Sequence, residues 1–166
     1  MSVIRPATVD DVPAILQMIH ELAIYEKEPG AVRNTPEMLT DALFGENPRV
    51  FAHMAENAAG AVQGFALWFL NYSTWEGAHG IYLEDLYVMP GSRGEGHGKA
   101  LLHHLAAIAV ERGYARVEWS VLDWNEPSIN FYRKLGAHPM EEWSTFRLTG
   151  SALELFGSRQ DAAVRG

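Results

Sequence analysis

The chain has 166 residues, 48% hydrophobic and 20% charged, with a formal net charge of −8 and no cysteine. That suits one compact domain with a single core, and it excludes disulfides, a thiolate nucleophile and any thiolate metal site. The acidic balance argues against nucleic acid as the main partner and leans towards a cationic one. No apolar run reaches the ~20 residues of a bilayer span, and "MSVIRPATVDD" lacks the regions of a signal peptide; a cytoplasmic protein without a membrane partner is expected.

Along the chain, Ser2–Arg5 reads as a short strand. Thr8 opens a helix, with Asp11 at capping-box spacing in place of the usual Glu or Gln. Val12, Ile15, Leu16, Ile19, Leu22 and Ala23 follow at helical period. After a loop over 26–34, Thr35-Pro36 starts a second short helix. Three strands are expected over 49–56, 61–72 and 79–89, the first two joined by a turn at 57–60. A long helix runs from His97 to Arg112 and closes at Gly113. A strand over 115–124, a short helix ended by Gly136, a last strand over 140–148 and a helix over 151–156 complete the pattern. The polar end, 158–166, is expected to fray. The order β-α-α-β-β-β-α-β-α-β predicts one α/β (α+β) domain over 1–157 with a mixed sheet.

"RGEGHGKAL" (93–101) carries the first chemical signal, and "WNEPSINFY" further on is the more specific string. Glycines before a helix N-terminus let unpaired backbone amides close around an anion, and Arg93 adds a fixed positive charge. A P-loop would need Gly at position 93 and a hydroxyl at position 100, where Arg93 and Ala100 stand. A dinucleotide fingerprint from Gly94 would need a third glycine where Lys99 stands. The pattern that fits is Arg-x-x-Gly-x-Gly, filled by Arg93, Gly96 and Gly98.

This loop resembles the pyrophosphate loop of the GNAT superfamily of acetyl-CoA-dependent N-acetyltransferases. "DWNEPSINFYRKLGA" (123–137) strengthens the resemblance, because Asn125, Asn130, Tyr132, Gly136 and Ala137 stand in that superfamily's order. Together with "IRPAT", "ELAIYE" and "YLEDLYVM", these strings are similar to the diamine (spermidine/spermine) and thialysine N-acetyltransferases over roughly Ile4 to Leu148.

The resemblance implies a GNAT fold: a mixed, mostly antiparallel central sheet flanked by helices, with a splayed strand pair forming an acetyl-CoA slot. It implies that Leu86, Tyr87 and Val88 lie beside the pantetheine arm and polarise the acetyl carbonyl through backbone N–H groups. Gly94, Glu95, Gly96, His97, Gly98 and Lys99, with Arg93, would hold the pyrophosphate. Asn125, Glu126, Pro127 and Ser128 would touch the cofactor or position the following helix, and Tyr132 would protonate the CoA sulfur. Glu84 is the candidate for accepting the amine proton through water, or for binding the ammonium, since a carboxylate of pKa ~4 is a poor direct base for an ammonium of ~10. Tyr25, Glu26, Glu84, Glu118 and Glu142 (or its neighbour Glu141) are candidates for an acidic amine site.

Acetyl transfer to a primary amine of a small cationic substrate, by direct attack in a ternary complex, is the expected function, with a homodimer implied by the resemblance. A protein or peptide N-acetyltransferase and a non-catalytic CoA-binding module are the alternatives. The seven histidines are scattered, and His103 and His104, adjacent on one helix, face different directions, so no metal site is expected.

Overall fold

A computed structural model of the chain describes residues 1–158; the fraying expected of the tail falls, from 159 onward, outside the described residues. The chain divides into two compact units, Met1–Asp123 and Trp124 onward.

The first unit holds a five-stranded sheet in the order β1-β2-β3-β4-β5. The strands are β1 (Val3–Pro6), β2 (Phe51–Glu56), β3 (Val62–Ser73), β4 (Ala78–Val88) and β5 (Val117–Trp119). β1 to β4 pair antiparallel, and β5 joins β4 in parallel. The sheet is therefore mixed and open. Three helices belong to this unit: α1 (Val12–Tyr25), α2 (Pro36–Phe44) and α3 (His97–Glu111).

Local chemistry explains the element ends. A 3-10 turn over Val9–Asp11 precedes α1. The Asp11 carboxylate accepts the Thr8 N–H at 2.7 Å and pairs with Arg5 at the same distance, so the capping signal also ties α1 to β1. That pairing holds the Asp11 carboxyl below its ordinary value. At the far end of α3, Gly113 takes φ 68°; its N–H donates to Val110 O and the Tyr114 N–H to Ala109 O, a Schellman ending.

Alternation along β2, β3 and β4 divides the core between two faces. One cluster joins Val12, Ile15 and Met18 of α1 and Leu39 and Leu43 of α2 to Met54, Phe65, Leu67 and Tyr87. Ile15, Met54 and Phe65 are fully buried, each worth about 1.5–3 kcal/mol over an exposed position. Trp68, Ile81 and Leu83 point the other way, to the face that α3 covers with Leu101 and Leu105. There Trp68 Nε1–H donates to His53 Nδ1 at 3.1 Å, and the His53 ring lies 4.6 Å from that of His104.

The second unit contains α4 (Glu126–Lys134) and α5 (Gly150–Ser158). α4 ends as expected at Gly136, with φ 92° and the Ala137 N–H returning to Tyr132 O. The strand expected over 140–148 does not form. Its apolar side chains give the reason. Trp143 and Phe146 are three residues apart, which would set them on opposite faces of a strand, and both are exposed, at 68% and 95%. Met140, Phe146 and Leu148 would share the other face, yet all three are exposed as well, so no burial supports a strand here.

Candidate active site

β4 carries the central irregularity. Leu67 pairs with Asp85 and Trp68 with Leu83, so Glu84 is an extra residue in the β4 ladder. Such a bulge bends its strand and re-aims side chains. The parallel pairing with β5 stops at the same place: Leu83↔Trp119 is its last partnership, and β5 is three residues long, far short of the strand expected over 115–124. Beyond Glu84, β4 continues to Val88 with its far edge unpaired among the described residues.

The direction of the amides on that edge follows from the ladder. The Met89 N–H donates to Gln63 O, towards β3. Alternation then turns the N–H groups of Leu86 and Val88 away from β3, into the opening, and spends that of Tyr87 on the ladder. The Tyr87 side chain is buried in the α1 face of the core. Its hydroxyl donates to Glu21 Oε2 at 2.9 Å, and burial together with this carboxylate raises its phenol above the ordinary value.

A 3-10 turn over Pro90–Ser92 leads from β4 into the glycine loop. Gly94 and Gly96 have φ of 86° and 90°, which only glycine adopts readily, and a Cβ on either would meet no protein atom within 4 Å. The loop is thus held in a left-handed form beside open space. Ala100 N–H is the first to bond back, to Gly96 O, so the amides of His97, Gly98 and Lys99 belong to the unpaired first turn of α3. Glu95 and Lys99 are exposed, whereas the His97 side chain is turned inward and is 2% exposed. Ser92 is buried, its hydroxyl donating to Gln63.

Arg93 is exposed but not loose. Its Nε donates to Val88 O at 3.1 Å, and its guanidinium lies 5.3 Å from the Tyr25 ring centre and 5.6 Å from that of Tyr87. The end of α1 is thereby joined to the end of β4.

Carboxylates collect here. Glu26, at the end of α1, is raised by burial and then by Glu84. Asp85 is pushed up to about 6 by burial first, then by Glu84 and Glu26. The sequence-predicted Glu26 and Glu84 therefore lie within electrostatic reach of each other and of Asp85, while Tyr25 faces Arg93 and Glu21 takes the Tyr87 hydroxyl; sequence reasoning assigned neither Asp85 nor Glu21. Strict strand alternation would send Asp85 to the face opposite Glu84; the bulge removes that expectation. Glu118 is committed on β5, where its Oε1 takes Arg116 Nε at 2.8 Å and Asn71 Nδ2 at 3.0 Å.

In the second unit, Asn125 is the N-cap residue of α4 and is buried, and Pro127 occupies its first turn. Ser128 and Tyr132 are half-buried, the tyrosine ring 5.5 Å from that of Phe131. Glu126, Glu141 and Glu142 are exposed, the last two in a turn.

An open strand edge beyond a bulge leads into a glycine turn and a helix N-terminus, and the comparison with known proteins decides the lineage of this arrangement. The model of the acetyltransferase (GNAT) family matches residues 15–137. The chain belongs to the GNAT family. It is an acyltransferase, and enzymes of this family use acetyl-CoA. Thialysine N-epsilon-acetyltransferase of Sus scrofa is 41% identical, covering 93% of this chain and 96% of that protein. L-ornithine N5-acetyltransferase of Arabidopsis thaliana is 32% identical, covering 91% and 86%. Among solved structures, an integron cassette protein from the V. cholerae mobile metagenome superposes with a TM-score of 0.79 at 25% identity, covering 95% of this chain and 98% of that one. Its likeness agrees with the GNAT fold expected from the sequence. Among the described residues no group of three or more His, Cys, Asp or Glu could hold a metal ion, and no helix is long and apolar enough to cross a membrane.

Proposed function

We propose that this GNAT member transfers the acetyl group of acetyl-CoA to a primary amine of a small cationic substrate, a polyamine or an amino acid of the thialysine or ornithine type. The observation that carries this reading is the carboxylate group of Glu26, Glu84 and Asp85, gathered at the β4 bulge beside the open strand edge. A carboxylate site of this kind selects an ammonium over a neutral acceptor. The activities for which the thialysine and ornithine relatives are named, both directed at side-chain amines, support the same substrate class.

The thioester of acetyl-CoA supplies an acyl carbon with a good leaving group. The chain's own residues supply the rest. The first-turn amides of α3, with Arg93, hold the diphosphate; a helix N-terminus and left-handed glycines fit an anion. The Leu86 and Val88 N–H groups orient the pantetheine arm and polarise the acetyl carbonyl, a preorganised stabilisation of developing negative charge. Glu84 holds the ammonium and takes its proton through water. The amine nitrogen then forms the new C–N bond as the C–S bond breaks, and Tyr132 gives its proton to the leaving sulfur. Asn125 and Ser128 touch the cofactor or shape the start of α4. The reading includes a cytoplasmic homodimer, tested by sedimentation of the purified chain.

The decisive experiment is release of free thiol from acetyl-CoA with putrescine, spermidine, ornithine, thialysine, lysine and a lysine-containing peptide. Saturable release with one of the small amines supports the proposal. Release with the peptide alone reassigns the chain to protein acetylation, and binding of CoA without thiol release from any amine leaves a non-catalytic module.

A further inference from the structure

His97 is the first residue of α3 and is 2% exposed, although it stands at the mouth of the glycine loop. Its ring is engaged at both nitrogens. Nδ1 lies 2.7 Å from Ser2 Oγ, ahead of β1, and Nε2 lies 3.2 Å from Glu95 Oε2. A nitrogen facing a carboxylate must carry the hydrogen, so Nε2–H donates to Glu95. The neutral ring then accepts the Ser2 hydroxyl at Nδ1, and a protonated ring donates to it. Glu95 itself sits between the two left-handed glycines, with 59% of its side chain exposed.

Glu95 is an anion in a turn whose proposed ligand is also an anion. Left to itself, its carboxylate would repel a diphosphate and compete for the same amides. The buried imidazole offers it a donor on the protein side of the loop, and Ser2 fixes that imidazole in turn. We propose that His97 is a positioning residue for the diphosphate: by holding the Glu95 carboxylate it keeps the Gly94–Gly96 turn in shape and the first-turn amides of α3 open to the anion. The inference rests on the reading that this loop binds the diphosphate of CoA, and it deepens that reading by giving affinity a determinant outside the amides themselves.

The test is the dissociation constant of coenzyme A, by isothermal titration calorimetry, on the full chain and its variants, with unfolding temperature recorded for each. His97→Leu fills the same volume without a donor; CoA binding is expected to weaken about tenfold, with the KM of the amine changed less than twofold. Adding Glu95→Gln to that variant is expected to restore affinity to within about threefold of the starting protein, because the untethered charge is gone. A purely structural role for His97 would lower the unfolding temperature without that restoration, and an unrestored double variant overturns the inference. So does His97→Leu with unchanged CoA affinity. If His97→Leu does not fold, Ser2→Ala, which removes only the anchor, is expected to weaken CoA in the same direction by about two- to threefold; no change overturns the inference. Gly96→Val separates the two claims. If CoA binds Gly96→Val as well as the starting protein, the loop reading itself falls; if Gly96→Val weakens CoA while His97→Leu does not, only the role of His97 falls.

Discussion

Asp85 and Tyr132 carry the sharpest consequences for single side chains. Burial, and then Glu84 and Glu26, push Asp85 up to about 6, so it is charged above that pH and neutral below it. An ammonium substrate needs the charged form. The KM of the amine is therefore expected to rise as pH falls from 7 to 5, while Asp85→Asn gives a high KM with little slope across that range. A wild-type KM that stays flat between pH 7 and 5 removes Asp85 from amine binding. For Tyr132, loss of the phenolic proton in Tyr132→Phe is expected to lower kcat about 10²-fold or more with CoA affinity intact, on the scale of general-acid help; equal kcat would take the tyrosine out of the chemistry. Glu84 was legible as a candidate because its string resembles a family motif. Asp85 was not, since its place beside Glu84 depends on a bulge that alternation cannot reveal.

Among the elements, α3 and the loop before it were the most readable. Their signals are local: glycines whose left-handed φ no other residue replaces easily, a 3.6-residue apolar period, and Gly113 to close the helix. The length of β5 was not readable, because it is set by where β4 bends away from it rather than by its own residues. The strand expected over 140–148 failed because Met140, Trp143, Phe146 and Leu148 all stay exposed, which depends on tertiary packing rather than on the pattern of the segment. The packing of β2 against α3 could not be foreseen at all, since His53, Trp68 and His104 are far apart in the chain. It has a measurable consequence. His53 accepts the Trp68 N–H at Nδ1, and burial first, then His104 and Arg112, lower its pKa to about 4 from the ordinary 6.5. The unfolded chain takes up this proton near 6.5 and the folded chain only near 4. The stability from a neutral His53 is thus present above 6.5 and lost as pH falls towards 4. The unfolding temperature is expected to drop over that window, and His53→Asn, which keeps an acceptor for Trp68, to flatten the drop. An unchanged slope in His53→Asn would place the acid sensitivity elsewhere, with the Arg5–Asp11 pair as the next group to examine.

At the scale of the molecule, the net charge of −8 sets a field that concentrates cations near the surface. Salt screens such a field, with a Debye length of about 10 Å at 0.1 M and 3 Å at 1 M. The KM of the amine is expected to rise several-fold between low salt and about 0.5 M, with kcat little changed, and a KM indifferent to salt would confine recognition to direct contacts. The GNAT architecture was recoverable from sequence because its motifs fall on strands, helices and loops of both units. Which amine fits was not, because that depends on how many of the gathered carboxylates a given chain length can reach. The account as a whole depends on the slot and the loop acting together on one ligand. A crystal structure with coenzyme A tests this most directly. It is expected to show the diphosphate on the amides of residues 94–99 and the pantetheine along the open edge of β4, hydrogen-bonded to Leu86 and Val88. Coenzyme A bound with that loop empty, or with the β4 edge uncontacted, would contradict it.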